Sequence, residues 1–552
     1  MVAVIALAVA AAAAGAHLAW RGDTLRDFLR RYQFWILEGQ FLFLLITTGV
    51  ELPRLLRRLP RRRIALAAAI AIALFNWTLT TWVAPRTSRI YYDEQIYQGV
   101  GRNLSDLHLA QMCNDGTVEY GRLRCWRGEY NKEPYGYPYL LSLAYRLAGV
   151  GEPTAFRLNN VVSALTALVA FLLAQLLFED FRVAATSALA LTVMPMQLTW
   201  SNSAAAEPSA GLLTGAAVLA AVRFVQLPTT SALAWMIAVS AFATTIRPES
   251  VLVIPLVGLV ILFWAPTEMA RPRLWWSALG GLALTWVTFA HLVAVRAEGW
   301  GASEARFAWR YAIANAPANF WFYFGDQRFP VLLSLAAVAG LAAPGHRRQK
   351  LLLAGYFMAF WSLFVVFYAG SYNYGADVRF SIMANLPLAL LAGSGLVWVG
   401  GTLLSRWGGE RVLIGAVAAL LLFQFLWYLP LVRETGEEAW AARADVAFAK
   451  RFTSQLPPNS IVLTQNPSMF HVWGINAAQL SIASTEHGYV SQQLMPRYAG
   501  GVYLHWSFWC NVADEAQQAF CHSALDAFPN DLIGSYRERD YRYAFYRVRE
   551  LP

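Results

Sequence analysis

The chain has 552 residues, of which 57% are hydrophobic and only 14% are charged, whereas about a quarter of the residues of a soluble domain are charged. Apolar runs of about 20 residues, the length that crosses the hydrocarbon core of a bilayer, recur along most of the chain and exclude a soluble globular protein. The net charge of +10 comes almost entirely from arginine, and because these arginines cluster in short segments between apolar runs, they indicate membrane anchoring rather than nucleic-acid binding.

The apolar runs predict a polytopic α-helical membrane protein with about 13 transmembrane helices. The run at 2–20 begins without a charged segment, so we interpret it as a span and not as a signal peptide. The predicted spans lie near residues 2–20, 34–52, 64–84, 156–178, 183–200, 205–226, 231–246, 250–265, 274–296, 330–344, 350–369, 380–403 and 411–431.

The arginine-rich loops predict the orientation of these spans. The segments "RLLRRLPRRR" (54–63) and "HRRQK" (346–350) should be cytoplasmic by the positive-inside rule. The segment at 21–31 has four arginines and falls on the other side, which conflicts with this orientation for the first two spans. If the spans alternate, three larger segments are extracytoplasmic, namely 85–155, 297–329 and 432–552. The predicted organisation is therefore an N-terminal membrane hairpin with a basic cytoplasmic loop (1–63), a transmembrane module (64–431) and an extracytoplasmic C-terminal domain (432–552).

The first outer segment, 85–155, begins with a predicted amphipathic helix at Asp93. Because this helix follows a span directly, we expect it to lie along the membrane surface. Asp93 and Glu94 then fall in its first turn, where acidic side chains also suit a helix cap and the helix dipole. The predicted apolar face carries Ile96, Val100, Leu104 and Leu107, and the predicted polar face carries Glu94, Gln98, Arg102 and Ser105.

The second part of this segment, "YNKEPYGYPYLLSLAYRLAG" (130–149), combines a lysine with a turn rich in proline and tyrosine. Pro134 and Pro138 interrupt regular structure near Lys132. A short apolar helix over 139–148 follows, too short to span the membrane. The outer segment is thus predicted to hold two interfacial helices, and to bring two carboxylates and a lysine to one membrane surface.

The four cysteines form two locally spaced pairs, both on the predicted outer face. Cys113 and Cys125 lie in the first outer segment, and Cys510 and Cys521 lie in the C-terminal domain. This distribution favours two disulfides in an oxidising compartment, with four unpaired cysteines as the alternative. Neither pair has the tight spacing typical of a zinc knuckle.

The C-terminal segment, 432–552, predicts a small α/β domain. A helix is predicted over 437–452, a strand over 460–465 and a last strand over 541–551. The aromatic run "YLHWSFWC" (503–510) favours core packing, with membrane contact or glycan stacking as alternatives.

Several of these stretches together resemble a known family. The runs "DEQIYQGVGRNL", "KEPYGYPYLLSLAYRLAG" and "FRLNNVVSALTALVAFLLAQLLF" occur in the order seen in GT-C glycosyltransferases that use polyprenyl-phosphate sugars. The most similar branches are the bacterial protein O-mannosyltransferase-like and aminoarabinose-transferase-like enzymes. The stretches "SNSAAAEPSAGLLTGAAVLA", "TTIRPESVLVIP" and "DVRFSIMANLPLALLAG" agree, so the resemblance covers roughly residues 64 to 400. The family pattern usually has two prolines after the lysine, where this chain has Glu133 and Pro134.

The resemblance implies inverting transfer of a sugar from a polyprenyl phosphate to an acceptor hydroxyl on the outer face. Asp93 matches the catalytic acid position and is expected to act as general base. Glu94 matches the second acid of the motif and is expected to orient the acceptor or the base, or to help hold a divalent metal ion. A divalent metal ion, with Asp93 and Glu94 as candidate ligands, is the one cofactor expected. The donor phosphate is expected to bind Lys132, Arg379 and Arg247. The residues expected to line the site are Glu207, Tyr374, Tyr135 and Tyr137.

The expected partners are a polyprenyl-phosphate-linked sugar, the lipid bilayer and an acceptor that the sequence leaves open among protein, lipid and glycan. The expected location is the inner (cytoplasmic) membrane of a bacterium. A nucleotide donor has no evident Gly-rich phosphate loop in the sequence. A transporter is the main alternative, although its usual midplane charges and internal repeats are not evident. A non-catalytic membrane scaffold is the other alternative.

Overall fold

The computed structural model of the chain describes residues 7, 10, 11, 13–15, 22–298, 304–373, 375–404 and 409–549. Most of the predicted span at 2–20 lies outside these residues. The helices that precede the C-terminal domain are α1 Asp23–Arg57, α2 Arg62–Trp82, α3 Asp93–Leu107, α4 Gly136–Ala148, α5 Glu152–Phe178, α6 Phe181–Thr192, α7 Pro195–Trp200, α8 Glu207–Gln226, α9 Thr230–Ala243, α10 Val253–Trp264, α11 Pro272–Leu284, α12 Trp286–Ala294, α13 Trp309–Phe324, α14 Val331–Ala342, α15 Arg347–Val365, α16 Ile382–Leu404 and α17 Gly409–Arg433.

The C-terminal domain is built from shorter elements. Its α-helices of five or more residues are α18 Trp440–Thr453, α19 Pro467–Val472, α20 Ser481–Thr485 and α21 Glu515–Asp526. The strands of the structure are β1 Met112–Glu119, β2 Arg122–Glu129, β3 Ser460–Thr464, β4 Asn476–Gln479, β5 Gly501–Trp506, β6 Asn530–Glu538 and β7 Tyr541–Val548.

Within the described residues, seven helical segments are long and apolar enough to cross a membrane, and four shorter apolar helices accompany them. The chain is therefore a multi-pass helical membrane protein, but the count of about 13 spans is not confirmed. Two predicted spans are broken. The span at 183–200 becomes α6 and α7 because Pro195 begins a new helix, and the span at 274–296 divides into α11 and α12 at Thr285. The helix α13 had no counterpart among the predicted elements.

A single seven-stranded sheet joins the outer segment 85–155 to the C-terminal domain. Its strand order is β2-β1-β4-β3-β5-β7-β6. Strand β3 runs parallel to β4 and β5, and the other pairs are antiparallel. Strand β1 pairs with β4 through Asp115–Ala478 and Gly116–Ala477. The sheet of the C-terminal domain therefore includes β1 and β2, which lie before the predicted domain boundary at residue 432.

Helices cover both faces of this sheet, and the side chains of β3 show why. Ile461 and Leu463 pack into one apolar cluster with residues of α20 and α21. Val462 packs on the opposite face with residues of α18 and α19. This alternation is the period of two expected for a strand. The aromatic run over 503–510 supplies core residues, as predicted, with Tyr503 and Leu504 almost fully buried.

Helix α3 differs from the predicted surface helix in its environment. Its polar face, expected to meet water, is buried, since Glu94, Gln98 and Arg102 are each at most 2% exposed. Arg102 donates hydrogen bonds to the carbonyls of Gly121 (2.8 Å) and His471. The helix therefore lies between the membrane module and the C-terminal domain, and protein covers these three polar side chains.

Candidate active site

A cavity of about 440 Å³ collects charged side chains from four separate parts of the chain. Asp93 begins α3, and Lys132 lies in the turn between β2 and α4. Arg247 precedes a 3₁₀ turn at Pro248–Leu252, and Arg379 lies in a 3₁₀ turn at Gly375–Ser381. These four predicted residues thus meet at one cavity, although up to 286 positions separate them in the sequence.

Glu207 lies behind this cavity and holds its two arginines together. It is fully buried in the first turn of α8. Its Oε1 accepts hydrogen bonds from Arg247 Nη1 (2.7 Å) and Arg379 Nε (2.9 Å). A buried carboxylate is stable when it is paired in this way. Glu207 therefore supports the cavity wall and is not among the residues that line it.

Further carboxylates surround the two guanidinium groups. Arg379 Nη1 contacts Asp377 at 3.0 Å, and Arg379 Nη2 approaches Asp93 Oδ2 at 3.5 Å. Arg247 pairs with Glu249 through its Nε. The cavity is thus lined by alternating positive and negative groups, which fixes the directions of the arginine side chains.

Burial raises the pKa of Asp93 above the ordinary value for an aspartate, against the opposing effect of Arg379 and with a further contribution from the charge of Glu207. The side chain is nevertheless 30% exposed within the structure. A carboxylate that is both accessible and more basic than usual is well suited to accept a proton from a hydroxyl group.

Glu94, expected to orient the acceptor or the base or to help hold a metal ion, is not among the residues that line the cavity. One of its oxygens accepts hydrogen bonds from the backbone N–H of Arg89 (2.6 Å) and Ile90 (2.9 Å), and the other from that of Ala204 (2.7 Å). Burial raises its pKa to about 7 despite these hydrogen bonds. Glu94 therefore anchors the turn that leads into α3.

Asp93 and Glu94 do not form a set of donors that suits a divalent metal ion. Both oxygens of Glu94 are bound to backbone N–H groups, and Asp93 lies beside a guanidinium group. In the part of the chain that the structure describes, no group of three His, Cys, Asp or Glu side chains is placed to hold a metal ion. The residues present do not fit a divalent ion bound by the pair Asp93 and Glu94.

Two of the three predicted tyrosines, Tyr135 and Tyr137, lie just after Lys132 in the chain and do not line the cavity. Tyr135 is buried, and its hydroxyl accepts a hydrogen bond from the backbone N–H of Asn131 (2.7 Å). Tyr137 is also buried and packs edge-on against Tyr97, with 5.6 Å between ring centroids. Tyr374 lies outside the described residues.

Several cavity residues were missed by the sequence reasoning. Tyr97 lies one helical turn after Asp93, a spacing that could have identified it. Glu249 and Asp377 each lie two residues from a predicted arginine. Glu133, the departure from the family pattern, also lines the cavity and accepts a hydrogen bond from the Tyr97 hydroxyl at 3.4 Å. The remaining polar residues in the lining, Arg306 and Tyr368, had no motif to mark them.

The other side of the cavity is apolar and continues into a second space. Leu252, Phe307 and Leu363 line both the cavity and an adjoining groove of about 460 Å³. Trp309 and Val366 extend the groove. The cavity that holds the charged side chains therefore adjoins an apolar groove.

Both disulfides predicted from the cysteine spacing are present. They join Cys113 to Cys125 in the β1–β2 hairpin, and Cys510 to Cys521 in the C-terminal domain.

Comparison with known proteins agrees with this arrangement. Residues 132–292 match a family model described as dolichyl-phosphate-mannose-protein mannosyltransferase. Two crystal structures of ArnT from Cupriavidus metallidurans superpose with TM-scores of 0.54. For the one bound to undecaprenyl phosphate, the identity is 15%, with 87% of this chain and 97% of that chain covered. For the apo state, the identity is 16%, with 88% and 98% covered.

A weaker similarity links the chain to the arabinosyltransferase EmbB of Mycobacterium smegmatis, with a TM-score of 0.39, 14% identity, and coverage of 68% of this chain and 38% of that chain. No curated protein sequence matches the chain.

The fold is of the GT-C type. The match over 132–292 agrees with this fold and with the resemblance to GT-C glycosyltransferases noted in the sequence.

Proposed function

We propose that the protein transfers a sugar from a polyprenyl-phosphate donor to an acceptor hydroxyl on the extracytoplasmic face of the inner membrane, with inversion at the anomeric carbon. The observation that carries this proposal is the meeting of Asp93 with Lys132, Arg247 and Arg379 in one cavity that opens into an apolar groove. The ArnT structure bound to undecaprenyl phosphate supports a lipid phosphate as the donor carrier.

The charged part of the cavity suits the donor phosphate. As the bond between the anomeric carbon and the phosphate oxygen breaks, negative charge develops on the leaving polyprenyl phosphate. Lys132, Arg247 and Arg379 supply positive groups for this charge, and the two arginines are already oriented by Glu207. The apolar groove along Leu252, Phe307 and Leu363 is the proposed path of the first prenyl units.

Asp93 is the proposed general base. It takes the proton of the acceptor hydroxyl, while the hydroxyl oxygen attacks the anomeric carbon from the face opposite the phosphate. One C–O bond forms and the C–O bond to phosphate breaks, so the configuration inverts. The raised pKa of Asp93 favours this proton transfer.

The extracytoplasmic location rests on two features of the chain. The arginine-rich loops at 54–63 and 346–350 favour the cytoplasm. The two disulfides favour an oxidising compartment for the segments that carry them.

The test is sugar transfer by purified protein from a panel of polyprenyl-phosphate sugars, with source-membrane extract as acceptor. Wild type is expected to transfer one sugar, and Asp93→Asn to lose activity while still binding donor. Asp540→Asn, in the exposed turn between β6 and β7, is the matched control and should remain active. NMR of the product should show the inverted anomer. Wild-type activity in Asp93→Asn would exclude Asp93 as the base, and no transfer or donor binding by wild type would overturn the proposal.

A further inference from the structure

The residue that precedes the proposed base has an unusual backbone conformation. Tyr92 has φ 94° and ψ −64°, in a region that bulky side chains rarely adopt. Such a conformation is energetically unfavourable and persists only when the surrounding structure holds it. Because Asp93 follows directly, this turn sets the direction of the Asp93 carboxylate.

Two sets of contacts hold the turn. Glu94 binds the backbone N–H groups of Arg89 and Ile90, as described above. The ring of Tyr92 packs edge-on against the ring of Trp509, with 5.8 Å between centroids and an angle of 82°. Trp509 belongs to the C-terminal domain, which is therefore in contact with the turn that carries the base.

Trp509 is itself held in place by buried interactions. The backbone N–H of its neighbour Phe508 donates to Asp445 Oδ2 at 3.0 Å. The other oxygen of Asp445 accepts a hydrogen bond from His505 Nε2 at 2.9 Å. The next residue after Trp509 is Cys510, which is joined to Cys521. These links leave Trp509 little freedom to move away from Tyr92.

The rest of α3 is fixed by the same domain. Asn466 donates a hydrogen bond to Gln95, two residues after the base. Gly99 approaches Ser468 so closely that a Cβ at Gly99 would lie 2.4 Å from the Ser468 hydroxyl oxygen. The C-terminal domain therefore contacts α3 from its first turn onward.

We propose that Trp509 is a positioning residue for Asp93, through which the C-terminal domain completes the active site. This inference rests on the proposed function. Arg247 and Arg379 are both paired with Glu207, and the backbone of Lys132 is hydrogen-bonded to Asn131 and His291. None of these contacts involves Trp509, so loss of its ring should leave donor binding nearly unchanged. It should lower kcat, because a base displaced by about 1 Å can cost on the order of 100-fold in rate.

The experiment compares Trp509→Ala, Trp509→Phe and the control Trp126→Ala in full-length protein. Trp126 lies on β2 in the same sheet, where it packs against Arg124 and Arg497. Trp509→Ala is expected to lower kcat about 10- to 100-fold with donor affinity within about twofold of wild type. Trp509→Phe, which retains a ring, should recover most of the activity, and Trp126→Ala should match wild type.

A second variant covers the case in which Trp509→Ala fails to fold. Tyr92→Gly removes the ring but allows the same backbone conformation without strain, so it should fold normally and still lose kcat. Hydrogen exchange over residues 89–97 provides a readout that needs no substrate and should become faster in both Trp509→Ala and Tyr92→Gly.

The outcomes separate the two proposals. If wild type transfers sugar and Trp509→Ala does so at the same rate, the positioning role is overturned and the proposed function stands. A loss of donor affinity as large as the loss of kcat would also overturn it, because the effect would then be structural. If wild type neither transfers sugar nor binds donor, both proposals fall.

Discussion

Replacing Glu207 by glutamine should both destabilise the protein and weaken donor binding. The carboxylate is fully buried and is shared by Arg247 at 2.7 Å and Arg379 at 2.9 Å. The variant keeps the shape of the side chain but removes the charge, so two mostly buried guanidinium groups lose a common counter-ion.

The size of the effect follows from these contacts. Removing one partner of a buried ion pair costs about 3–5 kcal/mol. Arg379 keeps Asp377 and Arg247 keeps Glu249, so the cost should lie near the lower end, at about 3 kcal/mol. If each arginine gives the donor phosphate a charge-assisted hydrogen bond, loss of one such bond costs about 1.5–3 kcal/mol, or roughly 10- to 150-fold in Kd.

The assay measures the apparent Tm in detergent and the Kd for a polyprenyl phosphate. Glu51→Gln is the matched control, since Glu51 is also fully buried and pairs with two arginines, Arg54 at 2.8 Å and Arg223 at 3.2 Å, away from the cavity. It should lose stability and keep donor affinity. A Glu207→Gln variant that binds donor as tightly as wild type would refute the assignment of these arginines to the phosphate.

Three further predictions concern pH and the disulfide near Trp509. Burial and the charge of Asp93 raise the pKa of Glu133 from 4.5 to about 7. The contribution of Glu133 to stability is therefore complete below pH 4.5 and is lost as the pH rises through about 7. Glu133→Gln should flatten this part of the curve of Tm against pH, and an unchanged curve would contradict the raised pKa of Glu133. A general base must be deprotonated, and the pKa of Asp93 is raised, so kcat/KM should rise with pH to a plateau. The midpoint of this rise should lie above the ordinary pKa of aspartate, and a midpoint at the ordinary pKa would refute the effect of burial. Replacing Cys510 and Cys521 by alanine opens a loop of sequence separation 11 and should lower the free energy of unfolding by about 3 kcal/mol in the chain-entropy model. Thermal unfolding would detect this loss. The double variant at Cys113 and Cys125 should lose a similar amount.

The sequence predicted those features that a bilayer and local spacing impose. Helices correspond to all the predicted spans within the described residues because each span must satisfy its own backbone hydrogen bonds over a fixed thickness. Asp93, Lys132, Arg247 and Arg379 were found because short motifs mark them. Their common cavity required the three-dimensional fold.

The features that the sequence did not predict depend on contacts between distant segments. Part of the burial of the polar face of α3 comes from segments far away in the sequence, since Arg102 donates to the carbonyl of His471, 369 positions later. Glu94 resembled a second catalytic acid because a buried anchor and an active-site carboxylate have the same local pattern. Only the N–H groups of Arg89, Ile90 and Ala204 distinguish the two roles.

The shared sheet has a consequence for the order of assembly during synthesis. The backbone N–H of Val118 in β1 binds Asn476 Oδ1, 358 positions later in the chain. At a synthesis rate of about 5–20 residues per second, the β1–β2 hairpin waits roughly 20–70 s before its partner strand exists. During this time the edge of β1 is unpaired, and α3 lacks the segment that covers its polar face. A nascent chain halted before β4 therefore contains all the residues that line the cavity but lacks Trp509, so the contact proposed to position Asp93 forms only after the C-terminal segments have been made.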